Sequence, residues 1–166
     1  MIRTPAIEIR HATPGERALI ASVFGEALDA AALTFRRGKW WVLQPRRVVM
    51  APDGHVWFHP KSTAWRDDFS AASLPLRAFV VHELVHVWQR QHGVNLLLRR
   101  YPFARYRYLP LVPGKPFAAY GIEQQAEIVR HAYLRREGAD VAGAPPLAAY
   151  AAILPFGSWD PPALLA

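Results

Sequence analysis

Apolar residues recur at helical spacing in three stretches of the chain, with short strand-like runs between the first two. Leu19, Ile20, Val23, Phe24, Ala27 and Leu28 share one helical face, and Thr13-Pro14-Gly15-Glu16 ahead of them reads as a capping box with proline at the first helical position. The pattern predicts a helix near 14–29. Trp40 to Leu43 and Arg47 to Met50 are β-prone, and Pro52-Asp53-Gly54 separates the second run from His55-Val56-Trp57-Phe58, so a β-hairpin is expected over 47–59. Ser73, with Pro75 in the first turn, opens a helical pattern that lasts to Gln91 and stops at His92-Gly93. From Val94 to Lys115, Pro102, Pro110, Pro113 and Gly114 interrupt a stretch rich in Tyr, Arg and Leu, which reads as a loop-rich crossover. A third amphipathic helix is expected from about Ala118 to Arg136, with Ile122, Ala126, Val129 and Tyr133 as its apolar stripe and Gly138 as its stop. The Ala- and Pro-rich tail through Ala166 is weakly specified.

The length of 166 residues, without internal repeat or shift in composition, points to a single domain over 1–166. Hydrophobic residues make up 52% of the chain, which excludes a disordered class, and no apolar run reaches the roughly 18 residues of a membrane span. Met1 to Arg10 lacks the basic start and apolar stretch of a secretory signal. A cytoplasmic protein as synthesised is therefore expected, with any export by another route. The absence of cysteine removes disulfides, thiolate metal sites and thiol nucleophiles together, leaving His, Asp and Glu as strong ligands. The net charge of +7 comes largely from arginine, as at Arg36-Arg37, Arg46-Arg47, Arg99-Arg100 and Arg135-Arg136. Such a surface favours polyanions, but it reads equally as a solvated basic face, and no nucleic-acid-binding module accompanies it. Nucleic acid is not an expected partner.

Within the second helix, His82-Glu83-Leu84-Val85-His86 matches H-E-x-x-H. Residues four apart lie one turn above each other, so both imidazoles can face one ion. Glu83, rotated by one position, stays out of the ligand set yet lies near a zinc-bound water whose proton it can take and hand to the leaving group. His82, Glu83, His86, Gln89 and Arg90 fall on one side of the helical wheel, and Val80, Val81, Leu84, Val85, Val87 and Trp88 on the other. A polar stripe merely facing water is the bland alternative. The motif arises by chance in a chain of this content on the order of 1% of the time, which favours the chemical reading.

Zinc hydrolase sites use three protein ligands and leave a fourth position for water, so a third ligand is required. His92 stands where a metzincin places its third histidine, but Gln89 replaces the glycine of that motif, and a cap or dipole role suits a histidine at the helix end. Glu123 is the better candidate because it shares the polar side of the third helix with Glu127. Glu127 could then accept a hydrogen bond from a ligand imidazole; alternatively it pairs with Arg130 or His131 as an ordinary solvated carboxylate. An oxyanion donor is also expected, with Tyr120, His131, Tyr106 and Tyr108 as candidates. His55 and His59 are read as non-ligands.

An H-E-x-x-H helix followed by a helix bearing E-x-x-A-[DE] resembles the gluzincin branch of zinc peptidases, the thermolysin-like arrangement. The resemblance implies an α+β fold: a minimal zincin-like domain with a small β-sheet or hairpin packed on the motif helix and a second, ligand-bearing helix. It implies Zn2+ held by His82, His86 and Glu123, Glu83 as general base, and Glu127 where the family keeps an aspartate beside a ligand histidine. It also implies an edge strand at 55–59 that pairs with an extended substrate. More narrowly, Val56-Trp57-Phe58-His59 ahead of the segment from Leu76 to Gln89 is similar to small zincin domains described as Vgr-related and associated with toxin or contractile-injection systems. That similarity spans roughly residues 13–136, with its specificity in the two helices.

The leading expectation is a zinc metallopeptidase acting on a peptide or protein substrate, in which Glu83 activates the zinc-bound water that attacks the carbonyl. The alternative is a non-catalytic zincin-fold component that binds or assembles within a secretion or injection system. A basic nucleic-acid binder is the weakest of the three.

Overall fold

The computed structural model describes residues 7–100 and 105–159. The first six residues, the crossover segment 101–104 with its Pro102, and the end of the tail, 160–166, lie outside the described residues. The fold is mixed α/β. A four-stranded sheet is formed by β1 (Glu8–His11), β2 (Thr34–Arg37), β3 (Val49–Met50) and β4 (Val56–Phe58), in the order β1-β2-β4-β3. The β1–β2 and β3–β4 pairs are antiparallel and the central β2–β4 pair is parallel. Among the described residues five helices accompany it: α1 (Pro14–Phe24), α2 (Leu74–Gln91), α3 (Leu96–Arg100), α4 (Ile122–Arg136) and α5 (Leu147–Ala151), with a 3-10 turn at Phe117–Ala119.

Local chemistry explains the helix ends. The Thr13 hydroxyl accepts Glu16 N–H at 3.0 Å and the Glu16 carboxylate accepts Thr13 N–H at 2.9 Å, so the capping box forms. The helix ends at Phe24, short of the expected 29, because Gly25 takes φ 59° and breaks the spiral. At the start of α4, Gln124 folds back to accept Gly121 N–H at 3.0 Å, which sets the first turn at Ile122 rather than Ala118.

β3 and β4 form the antiparallel pair expected over 47–59, but β4 is interior. Phe58 faces Arg37 on one side and Val49 on the other, so both edges of β4 are already paired. The edge next to β4 is β3, and the expectation of a substrate-pairing edge at 55–59 is corrected accordingly. Trp40–Leu43, expected as a strand, is a turn; strands β1 and β2 form instead. One reason is that Arg10 and Arg36-Arg37 give these strands a polar pattern that hides buried Phe35.

One carboxylate ties the sheet to α1 and to the approach of α2. Glu16, 1% exposed, accepts both Arg10 guanidinium nitrogens at 2.8 Å and Phe69 N–H at 2.8 Å, in addition to Thr13 N–H. Arg10 in turn lies 4.6 Å from the centre of the Phe35 ring, above an aromatic cluster of Phe35, Phe58, Trp65 and Phe69. Removing one partner of such a buried pair strands the other without its counter-charge. Glu16→Ala is expected to destabilise the fold by about 3–5 kcal/mol, measured by urea unfolding.

Candidate metal centre

The proline at the start of α2 and the stop beyond it define an 18-residue helix. Gly93 at φ 81° ends it, with Val94 N–H donating to the Gln89 carbonyl at 2.9 Å. This helix is buried on both sides. His82, Glu83, His86 and Gln89 all lie in the interior, and only Arg90 of the expected polar stripe reaches solvent. The stripe meets the polar side of α4 instead. His82 pairs with Glu127, His86 with Glu123, and Gln89 with the Ile122 carbonyl and Gln125, so positions rise along α2 as they fall along α4. The two helices are antiparallel, and their four-residue spacings mesh.

Both imidazole Nε2 atoms converge on a single oxygen. His82 Nε2 lies 3.2 Å and His86 Nε2 3.1 Å from Glu123 Oε2, with Glu123 1% exposed. Each ring is fixed from behind. Glu127 Oε1 accepts from His82 Nδ1 at 2.8 Å, and Gln89 Oε1 accepts from His86 Nδ1 at 2.9 Å. A proton on each Nδ1 leaves the Nε2 lone pairs facing the carboxylate. Three donors about a tetrahedral ion at ~2.0–2.1 Å are separated by roughly 3.3 Å, close to the 3.2 and 3.1 Å from the two Nε2 atoms to Glu123 Oε2, and all three ligand atoms lie within 4.8 Å of one another. His82, His86 and Glu123 are thus able to hold a divalent ion, and two imidazoles with one carboxylate are a donor set that fits zinc.

Gln89 escaped the sequence reading as a site residue. It is wholly buried, and its Nε2 donates to the Ile122 carbonyl at 3.0 Å and to Gln125 Oε1 at 2.8 Å. The signal available was its place three residues after His86 on the same face.

Glu127 is a branch point. Besides His82, it accepts from Arg130 Nη1 at 3.1 Å and lies 3.4 Å from His131 Nε2. Burial raises its pKa, but the His82 hydrogen bond and the Arg130 charge outweigh that and lower it to about 2. His131 is held below its usual value by burial, with Arg130 and His82 adding to the effect against Glu127. Its Nδ1 lies 2.6 Å from the Tyr108 hydroxyl, which is 2.5 Å from Tyr150. Burial and the Tyr150 hydrogen bond push the Tyr108 phenol up, so it stays protonated while its oxygen bridges the His131 ring and the Tyr150 hydroxyl. His131 and Tyr108 therefore belong to a chain behind Glu127.

The other oxyanion candidates separate cleanly. The Tyr120 hydroxyl accepts Val112 N–H at 3.1 Å, and Lys115 covers its ring at 4.2 Å, a placement that anchors the crossover. The Tyr106 ring lies parallel to that of His82 at 6.2 Å between centroids and is 46% exposed. His92 Nδ1 contacts the Trp88 carbonyl, and His55 and His59 bond to Thr34 and to the Lys61 backbone, all outside the cluster. On the Glu127 side an open cleft of ≈ 430 Å³ is lined by Tyr106, Arg107, Leu109 and His131. On the other side His86 and Glu123 border a small apolar pocket with Ala51, Pro52, Leu96 and Ile122.

No protein-family profile matches the chain. A solved structure, the effector domain of Pseudomonas aeruginosa VgrG2b, matches with a TM-score of 0.69 at 36% identity, covering 78% of this chain and 75% of that one. The chain belongs to the VgrG2b effector-domain family. The full "type VI secretion system spike protein VgrG2b" of the same organism is 38% identical over 135 residues, which are 76% of this chain and 13% of the spike protein. The family is Vgr-related, as the narrower resemblance implied.

Two outcomes follow from the cluster. In chelator, burial lowers the His82 pKa, but hydrogen bonds to Glu123 and Glu127 overcome it and raise it from 6.5 to about 9. That interaction stabilises the fold fully below pH 6.5 and is lost as pH rises through 9, whereas the depressed Glu127 contributes above pH 4.5 and is lost as pH falls through 2. Chelated protein should therefore melt at its highest temperature near pH 4.5–6.5 and lose stability toward pH 9, while added Zn2+ reverses the alkaline trend because it needs the deprotonated imidazole. Thermal melts across this range, with and without Zn2+, check both limbs. Gln89→Leu removes the acceptor behind His86 and is expected to weaken Zn2+ binding by about 10–100-fold, read by competition with a chromophoric chelator.

Proposed function

We propose that the chain is the effector module of a type VI secretion spike and that it works as a zinc-dependent hydrolase of gluzincin type on a zincin-like fold. The observation carrying the chemical half is the convergence of two back-bonded Nε2 atoms on one buried carboxylate oxygen. An ordinary structural ion pair has no need of two imidazoles oriented on one acceptor. The secretion half is supported by the likeness to the VgrG2b effector domain and spike protein.

Zn2+ held by His82, His86 and Glu123 would supply a Lewis acid for a carbonyl and lower the pKa of water. Glu83, the next residue along α2, is buried, and its charge acts on His82. Its carboxylate takes the proton of the attacking water and delivers it to the departing amine, so a peptide bond breaks with the proton conserved. Tyr106, beside the His82 ring and half exposed, is the aromatic best placed to meet a bound substrate. His131 acts through Glu127 and positions His82 rather than touching substrate. The cleft lined by Tyr106, Arg107 and Leu109 would receive the chain being cut.

The second reading, a non-catalytic binding or assembly component, is favoured by the spike protein to which the chain is similar. The two readings part on one experiment. Wild type and Glu83→Gln, each loaded with Zn2+, are incubated with a peptide library representing a whole proteome, and cleavage is read by mass spectrometry. Hydrolysis by wild type, reduced about 10²–10⁴-fold in Glu83→Gln at unchanged zinc content, is expected. A fully loaded wild type that leaves the library intact assigns the fold to binding.

A further inference from the structure

The turn between β2 and β3 inverts ordinary surface chemistry. Trp40, Trp41, Val42 and Leu43 follow one another and are all exposed, Val42 at 81% and Leu43 at 73%. Isolated exposed apolar residues are common, but four in a row at the tip of a turn form a patch. The turn is also built. Gln44, 3% exposed, sits inside it: Oε1 accepts Trp40 N–H at 2.9 Å, Nε2 donates to the Val48 carbonyl at 3.0 Å, and its own N–H closes on the Trp41 carbonyl at 3.1 Å. Lys39 Nζ donates to the Val42 carbonyl at 3.0 Å. A buried polar hub therefore holds the apolar tip outward.

The rim of this turn is cationic. Lys39, Arg46, Arg47 and Lys61 are exposed, and among the described residues no carboxylate lies within ion-pair distance of them. Their grouping is visible at His59, whose pKa is lowered by burial and then by Lys39, Arg46 and Lys61 together, with no acidic group opposing. Three cations thus act on one imidazole beside the turn.

We propose that this turn is a membrane-contact loop, which seats its Trp-Trp-Val-Leu tip in the interface of a bilayer bearing anionic lipid headgroups. Tryptophan favours the headgroup level, the aliphatic pair can reach the acyl boundary, and the cationic rim meets the negative surface. A second copy of the chain is a poorer occupant, because a two-fold contact through the tip brings two such rims together. No helix among the described residues is long and apolar enough to cross a membrane, so the contact is peripheral. The proposal is independent of the metal cluster.

The test uses the full chain with vesicles of phosphatidylcholine, with and without phosphatidylglycerol, and with brominated acyl chains as quenchers. Of the six tryptophans, Trp57, Trp65 and Trp159 are buried and Trp88 is partly buried, so quenching reports chiefly on Trp40 and Trp41. Co-sedimentation at least about tenfold stronger with phosphatidylglycerol, weakened by salt and accompanied by quenching, is expected. The double variant Val42→Glu, Leu43→Glu should lose binding and quenching by about tenfold or more at an unchanged melting temperature and zinc affinity. Failure of the wild type to bind, equal binding to both vesicles, salt-sensitive adsorption without quenching, or full binding by the double variant each overturns the proposal. Self-association that the double variant abolishes, without vesicle binding, overturns it in favour of an interface between copies.

Discussion

Burying a carboxylate between two helices determines much of what the rest of this molecule must do. Glu123 is removed from water, and a charge placed so is tolerated only when partners replace its hydration. The partners available are the two imidazoles of α2, which themselves need acceptors on their far nitrogens. Glu127 and Gln89 supply these, and each then needs partners of its own: Arg130 donates to Glu127, and the Gln89 amide N–H groups donate to Gln125 Oε1 and the Ile122 carbonyl. Satisfaction of one buried group thus propagates outward through three shells of hydrogen bonds. The same requirement fixes the antiparallel register of α4 on α2, since a shift of either helix by one residue would leave several buried polar atoms unpaired at once.

The network reaches beyond the two helices. Through His131 and Tyr108 it joins the crossover, and through Tyr150 it joins α5, so that both elements are tied to the centre. Gln124 donates to the Arg107 carbonyl, and Val112 N–H reaches Tyr120, so the crossover is held at more than one point. This is how a proline-interrupted segment comes to carry Tyr106 against the His82 ring. A loop tethered by buried hydrogen bonds can position a side chain as a helix does.

What the sequence discloses is what depends on local spacing. The i, i+4 pairs His82/His86 and Glu123/Glu127, the Thr13/Glu16 capping box and the Pro52-Asp53-Gly54 turn are all readable without knowing which element meets which. What escapes is non-local. β1 and β2 pair across 22 or more residues of intervening chain that include α1, and their run of arginines conceals a single buried Phe35. The polar stripe of α2 reads as solvent-facing because one helix cannot disclose that another brings a matching stripe. Glu16 is recognisable as a cap, but its service to Arg10 and Phe69 becomes apparent only when distant segments meet. Trp40–Leu43 misleads for the converse reason: apolar residues suggest a strand, while Gln44 folds beneath them and turns them out.

These misreadings share a cause. Pattern reasoning assumes that polar groups face water and apolar groups face the core, and it fails here where the molecule reverses the rule: at the centre, where imidazoles and carboxylates are enclosed, and at the turn, where tryptophan, valine and leucine are exposed. Neither reversal is an accident of loose packing. Each is maintained by a buried glutamine, Gln89 behind His86 and Gln44 beneath the apolar tip, whose amide can donate and accept at once and so satisfy mismatched neighbours. Folding does not require either arrangement, since an apolar helix interface and a polar turn would serve it with fewer constraints. Structure that stability alone does not call for, held in place by dedicated buried hydrogen bonds, is where the chemistry of recognition is to be sought.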